Sequence, residues 1–291
     1  MKDADLPAFA AELGIPGLFD VHVHFMHPRV MAKVWAYFDR VGTGLWPVQY
    51  RGSDHERVEY LRSMGVRRFT SLSYAHKPGM AGFLNDWTRE FAERTPDTLW
   101  SATFFPEPDA ADHVPKLVDA GVQAFKAHLQ VGDFAADDPL LEPVWEVLAE
   151  SGTPIVLHAG SGPAPGRFTG PDGVARVLAR HPELRLVIAH LGMPESMEFM
   201  DLAEGYPNVM LDTTMAFVDF WEQPADPVVV VQRLPGLQDR ILFGTDFPNI
   251  PYDYAHQVDA LQRLDLGDDW MRDVLWNNGA RVFGTAEEAG A

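Results

Sequence analysis

The 291-residue chain contains no cysteine. Disulfides, thiolate metal ligands and cysteine nucleophiles are therefore excluded, and any metal must rest on His, Asp, Glu or a modified Lys. Basic residues are scarce: 23 Lys and Arg stand against 42 Asp and Glu, a formal net charge of −19. Such a surface repels phosphate backbones and anionic headgroups, so neither nucleic acid nor membrane is an expected partner. An anionic substrate would need a locally positive pocket. No stretch approaches the ~20 apolar residues of a membrane span, and Met1 to Gly14 mixes Lys2, Asp3, Asp5 and Glu12 among alanines. The expected location is cytoplasmic. Also missing are an interdomain linker, a low-complexity tract and an internal repeat.

What is present suits a large globular core, with 46% hydrophobic and 22% charged residues. Eight short apolar runs recur: Leu18–Val23, Arg67–Tyr74, Leu99–Phe105, Val122–Ala127, Pro154–His158, Leu184–His190, Val209–Thr213 and Arg240–Asp246. Helix signals lie between them. Ser53 precedes Asp54–Met64 with Gly65 as stop, Asp109–Ala120 ends at Gly121, and Leu140–Ser151 ends at Gly152. Pro171–Arg180, Pro194–Gly205, Asp226–Leu234 and Tyr252–Leu264 continue the rhythm. Strands alternating with helices predict a parallel α/β fold, here a (β/α)8 TIM barrel in one domain over residues 1–291. Two features exceed that minimum: an insertion at about 25–52, and an extra C-terminal helix at about 268–283. The insertion carries Trp35, Tyr37, Phe38, Trp46 and Tyr50, and reads as a loop that either folds on itself or roofs a pocket. The Gly/Pro-rich segment Ala159–Gly170 lacks the lysine and spacing of a phosphate loop and reads as a flexible lid.

The ends of the runs carry the chemistry. His22 and His24 lie two apart on a strand, so both side chains leave the same face and can reach one ion. His158, His190 and Asp246 each close an apolar run. At the C-terminal ends of barrel strands, such residues read as catalytic rather than stabilising. Five convergent polar groups are difficult to accommodate as core residues, because a neutral buried His needs partners for both ring nitrogens.

His22-Val-His24, Asp137–Glu146, Pro154–His158, His190-Leu-Gly192, Phe243–Pro248 and Asn277–Phe283 together resemble the amidohydrolase superfamily. The branch resembled includes aminocarboxymuconate-semialdehyde decarboxylase, and the resemblance spans nearly the whole chain. It implies that His22, His24, His158 and Asp246 hold one divalent ion, Zn2+ or alternatively Mn2+. Asp246 would also be a base, and His190 an acid/base or oxyanion partner. Lys126, at the end of the fourth run, becomes an expected contact for a substrate anion rather than a bridge between two metals, with a lysine snorkelling at the barrel rim as the alternative. Arg51 and Arg167 are further candidates for clamping a carboxylate. His128 is expected to orient a neighbour or serve structure, and Asp212 either to orient a ligand or to make a helix-capping or backbone contact. His55, His76, His113, His181 and His256 are given no catalytic role and are expected to face solvent or make local hydrogen bonds, while His27, three residues beyond His24, is left open.

The expected activity is metal-dependent hydrolysis of a small carbonyl-containing molecule, with Asp246 taking a proton from water and His190 steadying the developing charge. Nonoxidative decarboxylation is the alternative within the same branch, and a non-catalytic binding barrel is the third reading. The expected partner is a small-molecule substrate, and assembly into a homo-oligomer is left open.

Overall fold

The computed structural model describes residues 1–41, 46–220 and 226–284. Parts of the expected insertion (42–45) and of the expected domain (221–225 and 285–291) lie outside the described residues. The first two strands are Leu18–Asp20 and Val66–Thr70, and the third comes in two pieces, Thr98–Leu99 and Ser101–Thr103. Ala124–His128, Ile155–His158, Leu186–Ile188, Val209–Asp212 and Ile241–Leu242 are the fourth to eighth. Consecutive strands pair in parallel throughout. The cylinder closes where Val21 N–H donates to the Phe243 carbonyl at 2.9 Å and Val23 bridges Phe247 in parallel. This is the expected (β/α)8 barrel. Its strands are almost wholly buried, as they must be between a filled interior and a helical shell.

Helices form where the local signals placed them. Ser53 caps Asp54–Ser63: its hydroxyl accepts from Glu56 N–H, while the Glu56 carboxylate accepts from Ser53 N–H at 2.8 Å. Gly152, at φ 67°, ends Glu142–Ser151 in a left-handed turn. That helix is anchored by Trp145, which is 1% exposed, meets Phe104 edge-on at 5.5 Å and donates its indole N–H to the Ala136 carbonyl. Burial of one such large side chain contributes ~3 kcal/mol.

Five expectations need correction. The insertion is not all loop: Pro28–Val41 is a helix, with Met31, Val34 and Trp35 packed toward Met26 and Tyr74 and with Arg29, Lys33 and Arg40 on other positions. Its apolar residues recur three to four apart, the period of a half-buried helix. Helices Leu6–Leu13 and Ala81–Glu93 were not anticipated either. The third strand breaks at Trp100, whose N–H is taken by the Gln123 side chain at 3.0 Å. The eighth strand stops at Leu242, well short of Asp246. Beyond it Gly244 passes so close to the neighbouring chain that a Cβ there would lie 2.4 Å from Thr214 Oγ1. The C-terminal helix, finally, runs in three pieces, Asp268–Arg272, a π-helical Asp273–Asn277, and Asn278–Phe283.

Candidate active site

The extended segment after the first strand places His22 and His24 on one face, 1% and 3% exposed. It is held between neighbours: Val23 N–H donates to Thr70 Oγ1, and Leu72 N–H to the Val23 carbonyl. Both rings are fixed in tautomer by what their Nδ1 atoms meet. His22 Nδ1 lies 2.8 Å from Asp212 Oδ2, and His24 Nδ1 lies 3.0 Å from the Leu72 carbonyl. Those oxygens can only accept, so each Nδ1 carries a proton and each Nε2 is the ring atom turned toward the site.

Asp246 stands opposite, at φ 67°, a left-handed conformation uncommon for a residue with a side chain. Its N–H donates to the His22 carbonyl at 2.8 Å, which links the turn after the eighth strand to the first strand. Asp246 Oδ1 is 2.8 Å from His24 Nε2 and 3.7 Å from His22 Nε2. Burial raises the Asp246 pKa, but the hydrogen bond and charge of His24 outweigh it and bring the value down to about 2. Among the described residues, His22, His24 and Asp246 form a group whose ligand atoms all lie within 4.8 Å of one another. The donor set suits a cation: His24 Nε2 and a carboxylate oxygen face each other at 2.8 Å, and a proton or a metal ion between them satisfies both.

Around this group stand Lys126, His128, His158 and His190. Lys126 Nζ lies 3.3 Å from His22 Nε2, and the side chain is 1% exposed. Burial pulls its pKa down to about 8, partly offset by Asp212 and Asp246. The Lys126 side chain is thus inside the site and not at the barrel rim. Burial likewise lowers the pKa values of His22, His128, His158 and His190, favouring neutral imidazoles. His158 stacks on His128 at 3.8 Å and lies 4.8 Å from His190, with its Nε2 3.0 Å from the Gly162 carbonyl. It is close to, but not within, the three-residue group. His190 sits 5.0 Å from His22, ring to ring, and is itself in a left-handed conformation, at φ 56°.

Asp212 does more than orient one ring. While Oδ2 holds His22, Oδ1 accepts from His190 N–H at 2.9 Å and Thr214 N–H at 3.1 Å. Asp20 has a comparable role deeper in the barrel, accepting from His22 N–H, Thr245 Oγ1 and Tyr254 OH. Burial pushes the Asp20 carboxyl up to about 7 against the pull of those donors.

The two arginines are placed differently. Arg51 pairs with Asp39 on the surface and lies over Trp35 at 5.7 Å. Arg167 is exposed on the lid, over Phe168 at 4.9 Å, with no ion pair among the described residues. The lid itself is well tied: Gly162 N–H donates to the Met193 carbonyl, Ser161 N–H to Glu195, and Gly170 N–H to the Ala159 carbonyl. The insertion aromatics divide between packing and cover. Phe38 stacks on Trp46 at 5.3 Å, Tyr50 is buried with its hydroxyl on Asp3, and Tyr37 is exposed.

Sequence reasoning gave no site role to Tyr74, His76 or Asn249. Tyr74 packs 5.5 Å from His24 and 5.1 Å from His128, ring to ring. It ends the second apolar run, so the strand-end criterion that found His158 could have found it. His76 is not solvent-facing as a loop histidine would be, since it stacks on Tyr74 at 5.0 Å with a buried Nε2. Among the other histidines, His181 pairs with Glu142 and His256 with Asp219.

This fold and site define a metal-competent barrel enzyme. The amidohydrolase family model matches residues 19–285, and the chain belongs to that family. No curated protein matches it in sequence. Among solved structures, an uncharacterised TIM-barrel protein from Bordetella bronchiseptica is 20% identical with a TM-score of 0.74, covering 94% of this chain and 99% of that one. The 5-carboxyvanillate decarboxylase of Novosphingobium aromaticivorans, in complex with manganese and 4-hydroxy-3-methoxy-5-nitrobenzoic acid, is 15% identical with a TM-score of 0.66, covering 94% and 97%. A protein assigned as 2-pyrone-4,6-dicarboxylic acid hydrolase from Pseudomonas putida is 17% identical with a TM-score of 0.63, covering 92% and 98%. At these identities the likeness establishes the shared barrel. Among the described residues, no helix is long and apolar enough to cross a membrane.

Proposed function

We propose that this amidohydrolase is a metal-dependent hydrolase of a small carbonyl-containing substrate, with the chain acting as one domain. His22, His24, His158 and Asp246 are assigned to one divalent ion, Zn2+ or Mn2+. For His158 to join them, its Nε2 would leave the Gly162 carbonyl or the ring would use Nδ1. Such an ion would supply Lewis acidity toward a carbonyl and acidify water to a pKa of ~7.

The observation that carries hydrolysis is the division of labour within Asp246. Oδ1 faces both Nε2 atoms, whereas Oδ2 has no hydrogen-bond partner among the described residues and the side chain keeps 15% exposure. One oxygen can therefore hold a cation while the other accepts a proton from the attacking water. His190, whose pKa burial lowers, is assigned to donate to an oxyanion. Lys126 is assigned to a substrate anion, with Arg167 at the rim. Arg51 would have to leave Asp39 to join them.

One observation favours decarboxylation as a second reading. The Lys126 ammonium is buried and has no carboxylate within ion-pair distance among the described residues, an arrangement that suits a substrate carboxylate.

The test is turnover in ¹⁸O water by protein loaded with Zn2+ or Mn2+. The panel is 2-pyrone-4,6-dicarboxylate, 5-carboxyvanillate, and simple esters and amides. Hydrolysis is expected to place the label in the product without release of carbon dioxide. Carbon dioxide with an unlabelled product would replace this reading with decarboxylation. Turnover indifferent to chelation would remove the metal from both.

A further inference from the structure

We propose that Asn249 is a positioning residue for Asp246, through which the inserted roof holds the carboxylate in register with His22 and His24; this rests on the assignment of Asp246 as a metal ligand. Asp246 and Asn249 are the ends of one tight turn, closed by Asn249 N–H donating to the Asp246 carbonyl at 2.9 Å. The turn is strained at Asp246, whose φ is 67°, and a conformation of this kind costs ~1–3 kcal/mol and persists only when its surroundings over-determine it.

One side of the turn is held by the barrel. Asp246 N–H bonds the His22 carbonyl, and His24 N–H bonds the Phe247 carbonyl at 2.7 Å. The other side is held by the roof, and Asn249 is where the roof grips. Trp35, on the roof helix, donates its indole N–H to Asn249 Oδ1 at 3.2 Å. Trp46, farther along the insertion, donates its indole N–H to the Asn249 carbonyl at 2.7 Å. Gln49 adds two bonds just beyond, to the carbonyls of Ile250 and Pro251. Asn249 is 2% exposed, so its side-chain bond to Trp35 is little contested by water. It therefore touches both tryptophans and the turn that carries Asp246. Trp35 is fixed in turn between cations, with the guanidinium carbons of Arg57 and Arg51 5.5 and 5.7 Å from its ring. A loosened roof would free the turn to relax toward ordinary dihedrals, moving Oδ1 away from the two Nε2 atoms.

The experiment is a Mn2+ titration followed by the electron paramagnetic resonance signal of the free ion. It compares wild type, Asn249→Ala, Trp35→Phe, the double variant and Asp246→Asn, with urea unfolding of each metal-free protein alongside. Trp35→Phe keeps the ring packing and removes the N–H donor, so it decides the matter even if Asn249→Ala does not fold. Loss of an outer partner of a metal ligand weakens metal binding by ~10-fold. A rise of that order in the Mn2+ Kd is expected for Asn249→Ala, and a rise of several-fold for Trp35→Phe. The double variant should be no weaker than Asn249→Ala, because both substitutions break one hydrogen bond. An Mn2+ Kd within two-fold of wild type in Trp35→Phe, or additive losses in the double variant, would overturn the positioning role, even if unfolding shows lost stability. Wild-type protein that binds no Mn2+, or Asp246→Asn that binds it as wild type does, would instead overturn the ligand assignment beneath it.

Discussion

Replacing Asp212 by asparagine exchanges one oxygen for an NH2 at a residue with no solvent exposure. The native carboxylate accepts three bonds, from His22 Nδ1 at 2.8 Å on one oxygen and from His190 N–H at 2.9 Å and Thr214 N–H at 3.1 Å on the other. An amide has one accepting oxygen and must choose. Turning its NH2 toward the backbone would set it against two donors that cannot switch, leaving two buried N–H groups unsatisfied at ~1–3 kcal/mol each. Turning the NH2 toward His22 costs less, because an imidazole can move its proton from Nδ1 to Nε2 and accept at Nδ1. That orientation should prevail, and its consequence is chemical: His22 Nε2 then carries a proton where a metal ligand needs a lone pair. Asp212→Asn should therefore lose ~10–100-fold in metal affinity, about 1.4–2.7 kcal/mol. Its metal-free stability should change by less than about 1 kcal/mol, since every backbone bond survives. A Mn2+ titration paired with urea unfolding separates the two terms. A variant that binds Mn2+ within two-fold of wild type but unfolds several kcal/mol more easily would show that the amide turned the other way, and the tautomer argument would fail.

Other substitutions probe separate links. Gly244→Ala would bring a Cβ to 2.4 Å from Thr214 Oγ1 and 2.8 Å from His22 Cβ; such overpacking should cost ~1–3 kcal/mol in urea unfolding and weaken metal binding, and wild-type values in both assays would refute it. Ser53→Ala removes the cap of Asp54–Ser63; a loss of ~1 kcal/mol is expected, with Mn2+ affinity unchanged because the helix lies outside the barrel. Burial lowers the His76 pKa below its ordinary 6.5, so the folded state binds fewer protons there than the unfolded chain. The stability this neutral ring contributes is present above pH 6.5 and is lost as pH falls through the lower folded value. His76→Phe, which keeps a ring against Tyr74, should therefore lose less stability than wild type between pH 7.5 and 5; parallel urea midpoints for the two proteins would contradict that assignment.

The barrel was legible in the amino-acid sequence because its signals are local. Eight apolar runs, the capping box at Ser53 and the left-handed stop at Gly152 each act within a few residues, so their pattern survives into the fold, with the third run broken at Trp100 and the eighth cut short at Leu242. The same locality made His158, His190 and Asp246 legible, since each closes an apolar run, and made His22 and His24 legible by their two-residue spacing, while a parallel barrel gathers all its strand ends at one rim. How those groups face one another was settled by tertiary contacts alone. Asp212 is 190 residues from the ring it orients, Lys126 is 104 residues from His22, and the Trp35 indole reaches Asn249 across 214. No spacing rule relates residues that far apart. The roof helix escaped notice although its apolar residues recur at helical spacing, because its aromatics look like loop packing until Met26 and Tyr74 are seen to receive them. Arg51 shows the opposite case, since a cation near a site in sequence is claimed by whichever carboxylate the fold brings closest, and here that is Asp39. Local pattern sets which residues arrive at the rim, and long-range contacts set their tautomers, charges and register.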